Sequence, residues 1–333
     1  MTTRTAFWLG LLALVLTFSS TAQPAVVTND APTVLLVVGA PGEAEFATNF
    51  VRQAALWEAV CARAGAKRVT LGLDEGASTN DLERLRLAFE AEPKDGPAEL
   101  WLVLIGHGTF DGQEAKFNLR GPDLSVTNLA LWLKPFHRPV AVINTASASA
   151  PFIKPLSGTN RVIVTATRSG NEQNFTRFGQ MLAEAITDPQ GDLDQDGQTS
   201  LLEAFLSAAA RVAEFYKTEG RLATEHALID DNGDGLGTPV DWFRGTRATK
   251  KAKDGLSLDG LRANQFHLVR SAEEQALSAA DRAKRDELEL AVAHLRENRP
   301  PMPGDDYYRQ LESLLVELGR LYEQTSPAPA AQR

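Results

Sequence analysis

Only one cysteine, Cys61, stands in 333 residues, so no disulfide can close within the chain. It falls on the helical stripe Phe50, Ala54, Trp57, Cys61 with no histidine near it in sequence, which reads as a small core residue rather than a reactive thiol. An excess of basic residues is missing too. The 34 Lys and Arg against 43 Asp and Glu leave a net charge of -9, which argues against nucleic acid as the main partner. Long apolar runs are also lacking. The stretch from Ala6 to Phe18 falls short of the roughly 20 residues that span a bilayer. Arg4 is the only charge before Asp30, and the small residues Ser20, Thr21 and Ala22 follow the run, so residues 1–22 read as a cleaved export signal and 23–32 as a linker. No cysteine follows the cleavage site, so a lipid anchor is not expected. The implied location is periplasmic or extracellular, with no membrane attachment after cleavage. The phosphate-binding glycine loops are absent as well. Gly39-Ala-Pro-Gly42 lacks the third glycine of a dinucleotide loop and the Gly-Lys-Ser/Thr ending of a P-loop, and Glu43 and Glu45 would repel an anion.

What is present is an alternation of buried strands and amphipathic helices. Thr33–Val38, Arg68–Leu73, Leu100–Ile105, Pro139–Ile143 and Arg161–Ala166 are apolar enough to be covered on both faces. Between them run helices over Ala44–Ala64, from a Thr79 or Asn80 cap to Glu90, over Val126–Phe136 and over Phe175–Thr187, with a short strand Lys116–Leu119. This pattern predicts a doubly wound α/β domain with a mostly parallel sheet, over residues 33–243. Beyond it, the charges of Arg244, Arg247, Lys250, Lys251 and Lys253 among small residues read as a solvated basic linker, 244–262. Residues 263–325 read as a helical hairpin. Ser271 and Glu274 form a capping box for one long helix to Asn298, Pro300, Pro301 and Pro303 end it, and a second helix follows over Asp305–Gln324. Its apolar seam is Tyr308, Leu311, Leu315, Leu318 and Tyr322. Residues 326–333 read as a disordered tail.

Two strand ends carry the chemistry. Leu100–Ile105 runs into Gly106-His107-Gly108, and Pro139–Ile143 runs into Asn144-Thr-Ala-Ser147-Ala-Ser149-Ala150. In open α/β sheets ligands sit at the carboxyl ends of strands, so His107 and a small hydroxyl residue would emerge together if the strands are neighbours. With Gly112, Leu119, Asp123-Leu124 and Leu156-Ser-Gly-Thr-Asn-Arg-Val-Ile-Val-Thr-Ala-Thr167 into Glu172, these motifs resemble the caspase-like fold of legumain and its relatives, over roughly Thr33 to Thr187. That resemblance implies His107 as the general base of a Cys–His dyad. It lays the family's nucleophile motif on Thr145-Ala146-Ser147-Ala148-Ser149-Ala150, so that serine replaces the cysteine, Thr145 the acidic residue and Ala150 the glycine. The specificity-pocket arginine falls on Ala47. A serine hydroxyl is a far weaker nucleophile than a thiol, and no acid is evident to orient His107. Two functions stay open. One is a catalytically degenerate module that holds a peptide or protein. The other is a hydrolase in which Ser147 or Ser149 attacks, His107 takes the proton, and the Gly108 and Ser147 amides hold the oxyanion. The Gly-x-Ser-x-Gly elbow of α/β-hydrolases is missing.

The sharpest metal motif lies elsewhere. Asp192, Asp194, Asp196 and Gly197, with Glu203 at the twelfth position, match an EF-hand loop, and the Gln198 carbonyl would add an oxygen. A weaker copy follows with Asp230, Asn232, Asp234 and Asp241, where Asp reaches less far than Glu and Pro239 disfavours a following helix. The expectation is structural calcium at 192–203 and, less completely, at 230–241. The sequence carries no signal for oligomeric state.

Overall fold

The computed structural model describes residues 30–74, 80–297, 299 and 303–325. The export signal, most of the linker 23–32, the tail 326–333, the alternative cap Thr79, and Pro300 and Pro301 lie outside the described residues.

The chain begins β1 (Thr33–Val38), α1 (Ala44–Ala64), β2 (Lys67–Leu71), α2 (Asp81–Ala91), β3 (Leu100–Ile105). A small antiparallel sheet follows, β4 (Gly108–Phe110), β5 (Ala115–Phe117) and β6 (Leu124–Ser125), and then α3 (Val126–Leu133). The main sheet resumes with β7 (Val140–Asn144), α4 (Ile153–Leu156), β8 (Arg161–Thr165), α5 (Phe178–Ala185), α6 (Leu201–Thr218), β9 (Leu228–Asp230) and β10 (Thr238–Pro239). Its strand order is β10-β9-β8-β7-β3-β1-β2, with β2, β1, β3, β7 and β8 parallel and the β9 and β10 edge antiparallel.

Side chains alternate across each strand, so both faces need cover. Val34, Leu36 and Val38 point into a core built with Phe50 and Trp57 of α1, Phe178 of α5 and Phe205 of α6. Leu35 and Val37 point the other way, against Leu85 and Phe89 of α2 and Leu129 and Leu133 of α3. Helices on both faces make the doubly wound arrangement that the apolar runs predict. Asn80 caps α2, accepting from the Glu83 amide at 3.1 Å.

Two expectations about the C-terminal part need correction. The stretch 244–262 is not a free linker. After β11 (Phe243–Arg244) and β12 (Arg247–Ala248), which pair as a hairpin, it folds onto the sheet edge through the buried Asp259. That carboxylate accepts from the Asp231 amide at 2.9 Å, the Asn232 amide at 3.2 Å and the Thr238 hydroxyl at 2.6 Å, while Asp231 accepts from Gly260 and Ala263 at 2.8 and 2.7 Å. The basic residues are solvated, but the backbone beneath them is pinned. The helix from Ser271 is also interrupted, into α7 (Ala272–Ala276) and α8 (Ala279–Glu297), because Leu277 is extended and Ser278 opens a second cap on the Asp281 amide. The Arg282 guanidinium covers the carbonyls so bared, donating to Glu274 at 3.0 Å and Leu277 at 2.6 Å. The last helix, α9 (Gly304–Thr325), packs along α8, with Lys284 and Glu317 bridging the two at 3.0 Å.

Candidate functional site

Parallel pairing of β3 with β7 brings Leu104 opposite Asn144, so Gly106–Gly108 and Thr145–Ala150 leave the sheet side by side at its carboxyl edge. The two turns touch through their backbones. A Cβ on Gly108 would stand 2.3 Å from the Ser147 carbonyl oxygen, so only glycine fits there.

The His107 ring lies edge-on to Phe46 and Phe50 of α1, with centroids 4.6 and 5.1 Å away, and Phe175 closes the aromatic group 5.4 Å from Phe46. Burial holds the imidazole pKa below its usual range, opposed by its hydrogen bond to the Pro41 backbone and by the charge of Glu43.

Ser147 is 3 % exposed. Its hydroxyl accepts from the Gly108 amide at 3.2 Å and donates to the Gly108 carbonyl at 3.1 Å. Among the described residues no hydrogen bond joins it to His107. The proton that a base would remove points at a carbonyl, and the Gly108 amide that would hold an oxyanion is occupied by the hydroxyl itself. The rest of the turn is equally committed. Thr145 donates through its hydroxyl to Leu104 at 2.8 Å, Ala148 holds a φ of 54° and donates to the Glu172 carbonyl at 2.8 Å, and the Ala146 amide meets Asn144 Oδ1 at 3.1 Å. Ser149 is fully buried, bonded to the Thr167 hydroxyl and accepting from the Ala166 and Thr167 amides, which removes it as a nucleophile.

Sequence reading missed one pair at this edge. Glu172 Oε1 meets His226 Nδ1 at 2.6 Å and Arg168 Nε at 3.3 Å. The partners are 54 residues apart, and only the antiparallel docking of β9 on β8, with Leu228 opposite Thr165, brings them together. No local motif signals such a pairing.

At the first acidic loop, one carboxylate oxygen each of Asp192, Asp194 and Asp196 lie within 4.8 Å of one another. Gln195 and Gly197 have left-handed backbone, and the Asp196 and Gly197 amides turn back onto Asp192 at 3.1 and 3.0 Å. Burial raises the Asp194 pKa, aided by the charges of Glu203, Asp196 and Asp192. Three gathered carboxylates that make no ion pair among the described residues are the donor type a hard metal ion takes. Glu203 does not join them. It is 1 % exposed, with Oε1 accepting from the Leu193 and Asp194 amides at 2.8 and 3.1 Å and Oε2 from the Ser200 amide and hydroxyl at 2.8 Å each, as the cap of α6. Gln198 ties the loop to α7, its side-chain oxygen accepting from the Ser271 amide at 3.1 Å.

The second loop is not gathered in the EF-hand manner. Asn232 donates to the Ser257 carbonyl at 2.8 Å, Asp234 accepts from the Leu236 and Leu256 amides at 2.8 and 3.0 Å, and Asp241 is exposed on a 3-10 turn, Val240–Trp242. The loop's own amides hold Asn232 Oδ1 and Asp234 Oδ1, from Asp234 and Leu236, and the pinned 255–259 stretch takes Asp234 Oδ2 through Leu256. Asp230 is buried at the end of β9. Burial pushes its carboxyl up to about 6, helped by the charges of Asp234 and Asp231 and opposed by nearby Ser157 and Gly233.

No family model matches the chain, and no curated protein matches it. Among solved structures it is similar to caspase-1 from Spodoptera frugiperda, at 11% identity and a TM-score of 0.39, over 61% of this chain and 87% of that one. It is similar at the same identity and TM-score to the Drosophila initiator caspase Dronc, over 69% of this chain and 95% of that one.

Proposed function

We propose that this chain is an exported protein of caspase-like or legumain-like fold that holds a peptide or protein segment at the carboxyl edge of its sheet without cutting it. The observation that carries this reading is the closed pair of hydrogen bonds between the Ser147 hydroxyl and Gly108. A nucleophile must be free to give its proton to a base and an oxyanion donor must be free to meet the substrate; here the Ser147 hydroxyl and the Gly108 amide are bonded to each other. The motif resemblance around His107 and Ser147 supports the choice of a peptide-like ligand.

Calcium belongs to the same reading as a structural ion. Asp192, Asp194 and Asp196 would hold it with loop carbonyls and water, while Glu203 keeps the loop in register from behind. An exported compartment is rich enough in calcium to fill a weak site.

The test is labelling with a fluorophosphonate probe and an acyloxymethyl-ketone peptide probe, on the parent chain and on Ser147→Ala and His107→Ala. Absence of labelling, together with saturable binding of a peptide library to the parent, is the expected result. Labelling of Ser147 that disappears in His107→Ala establishes the hydrolase reading instead.

A further inference from the structure

A cavity of about 630 Å³ lies at the amino ends of the parallel strands, the end of the sheet away from His107 and Ser147. Its floor is the chain at Asp30, Glu99, Pro139 and Asn160, just before β1, β3, β7 and β8, and α8 covers it with Asp286 and Leu290. The volume falls within the roughly 300–1,000 Å³ of small-molecule sites. Each carboxylate in its lining already has a cation. Arg270 pairs with Asp30 at 3.3 Å and with Glu99 at 3.5 Å. Arg285 pairs with Glu274 and, at 2.8 Å, with Asp286, and Lys284 lies 3.8 Å from Glu287. Arg262 lines the same space and, among the described residues, has no carboxylate within 4.0 Å. Two neutral amide oxygens hold its guanidinium instead, Gln265 Oε1 at 3.2 Å and Asn160 Oδ1 at 3.3 Å. Burial works against that charge, and the more distant Asp286 and Asp231 support it. Five residues on, His267 also lines the cavity; it is 6 % exposed, and its Nδ1 has no hydrogen-bond partner. A buried polar atom left in this way is uncommon and marks a place where a partner is missing.

We propose that this cavity binds a small carboxylate with an apolar body, its carboxylate on Arg262 and its body against Phe266, Pro139 and Leu290. Arg262 selects the charge. A guanidinium carries five N–H donors in a planar fork that fits a carboxylate, and the two amide oxygens leave most of them unused. His267 offers the ligand a second polar contact, since either ring nitrogen can carry the proton. The lining carboxylates are neutralised by their own cations, so they do not repel an anion as free charges would. Such a carboxylate belongs to a free organic acid or to the C-terminus of a peptide. The site shares no residue with the edge that carries Ser147, so it stands or falls apart from the function proposed there.

The experiment is calorimetric titration of the full chain with octanoate and with an acetylated tripeptide ending in leucine, each beside its primary amide. At least one carboxylate should bind saturably at one site per chain, and its amide should bind about tenfold weaker or worse, the loss expected for a hydrogen bond to a charged group. Binding of octanoate alone assigns the site to free acids, and binding of the tripeptide alone assigns it to peptide C-termini; either supports the proposal. Arg262→Met should weaken the carboxylate by a similar factor, with Arg262→Lys between it and the parent. The comparison of acid with amide is made on the parent, so it decides even where Arg262→Met fails to fold. Equal affinity for acid and amide overturns the proposal. So does undiminished binding by a folded Arg262→Met, or no binding of either carboxylate at millimolar concentration.

Discussion

Gly108 and Ser147 are held so closely that the site's chemistry is decided within two residues. A methyl group on Gly108 would press on the Ser147 carbonyl oxygen at 2.3 Å and on the Lys116 carbonyl oxygen at 3.3 Å, both of them backbone. Gly108→Ala should therefore cost on the order of 2–3 kcal/mol in urea unfolding, the upper range for overpacking; a change within about 0.5 kcal/mol, ordinary for surface positions, would show that the two turns are not in contact. His107 gives a pH signature. Its folded pKa lies below the unfolded value, so between the two the unfolded chain binds more protons and stability rises with pH. Its contribution is complete above the unfolded imidazole value of roughly 6.5 and is lost as pH falls through the folded one. Comparing urea midpoints of the parent and His107→Gln at pH 7.5 and 5.5 should show the parent losing more on acidification. Parallel pH profiles would mean the ring is not desolvated.

At the scale of elements, α6 and the loop before it share one carboxylate. Glu203 accepts four hydrogen bonds from the loop and the helix cap, so its role does not wait for a metal. Glu203→Ala should lower stability by roughly 2–4 kcal/mol in chelator as well as in calcium, since buried donors lose their acceptor. Asp192→Asn should leave the chelator value near that of the parent and remove the response to calcium. Thermal melts of both variants in both buffers separate the roles; a Glu203→Ala defect seen only in calcium would return that residue to the metal. The expected seam of α9 shifts for a similarly local reason. Tyr307 is buried and Leu311, Leu314, Leu318 and Leu321 are half-covered, whereas Tyr308, Leu315 and Tyr322 stand exposed. A 3,4 spacing fixes that a helix has an apolar stripe, but neighbouring stripes one residue apart are both compatible with it.

For the whole molecule, the C-terminal helices close the end of the sheet opposite His107 and Ser147. Arg270 reaches Asp30 at 3.3 Å and Glu99 at 3.5 Å, just before β1 and β3, and Arg282 also pairs with Asp30. Behind them Arg285 binds Glu274 at 2.9 Å and Asp286 at 2.8 Å, all largely buried. Removing one partner of such a pair leaves a buried charge, so Arg285→Met should cost about 3–5 kcal/mol and expose the α8–α9 region to limited proteolysis. The double variant Arg285→Met/Glu274→Leu should recover much of that loss. Equal protease resistance in Arg285→Met and the parent would show that the pair does not hold these helices.

The parallel sheet, its two covered faces and the neighbouring exits of His107 and Ser147 were legible in the chain, because continuous apolar strands alternating with amphipathic helices admit few other packings. The acidic loop at Asp192, Asp194 and Asp196 was legible for the same reason, since its spacing is local. What the hydroxyl and the carboxylates bond to was decided only in three dimensions. Ser147 turned to Gly108, Glu203 to the α6 cap, Asp234 to Leu256, and Glu172 to His226. Hydrogen bonds are short-ranged and directional, so their partners depend on ångström placement across strands and loops that no spacing along the chain encodes.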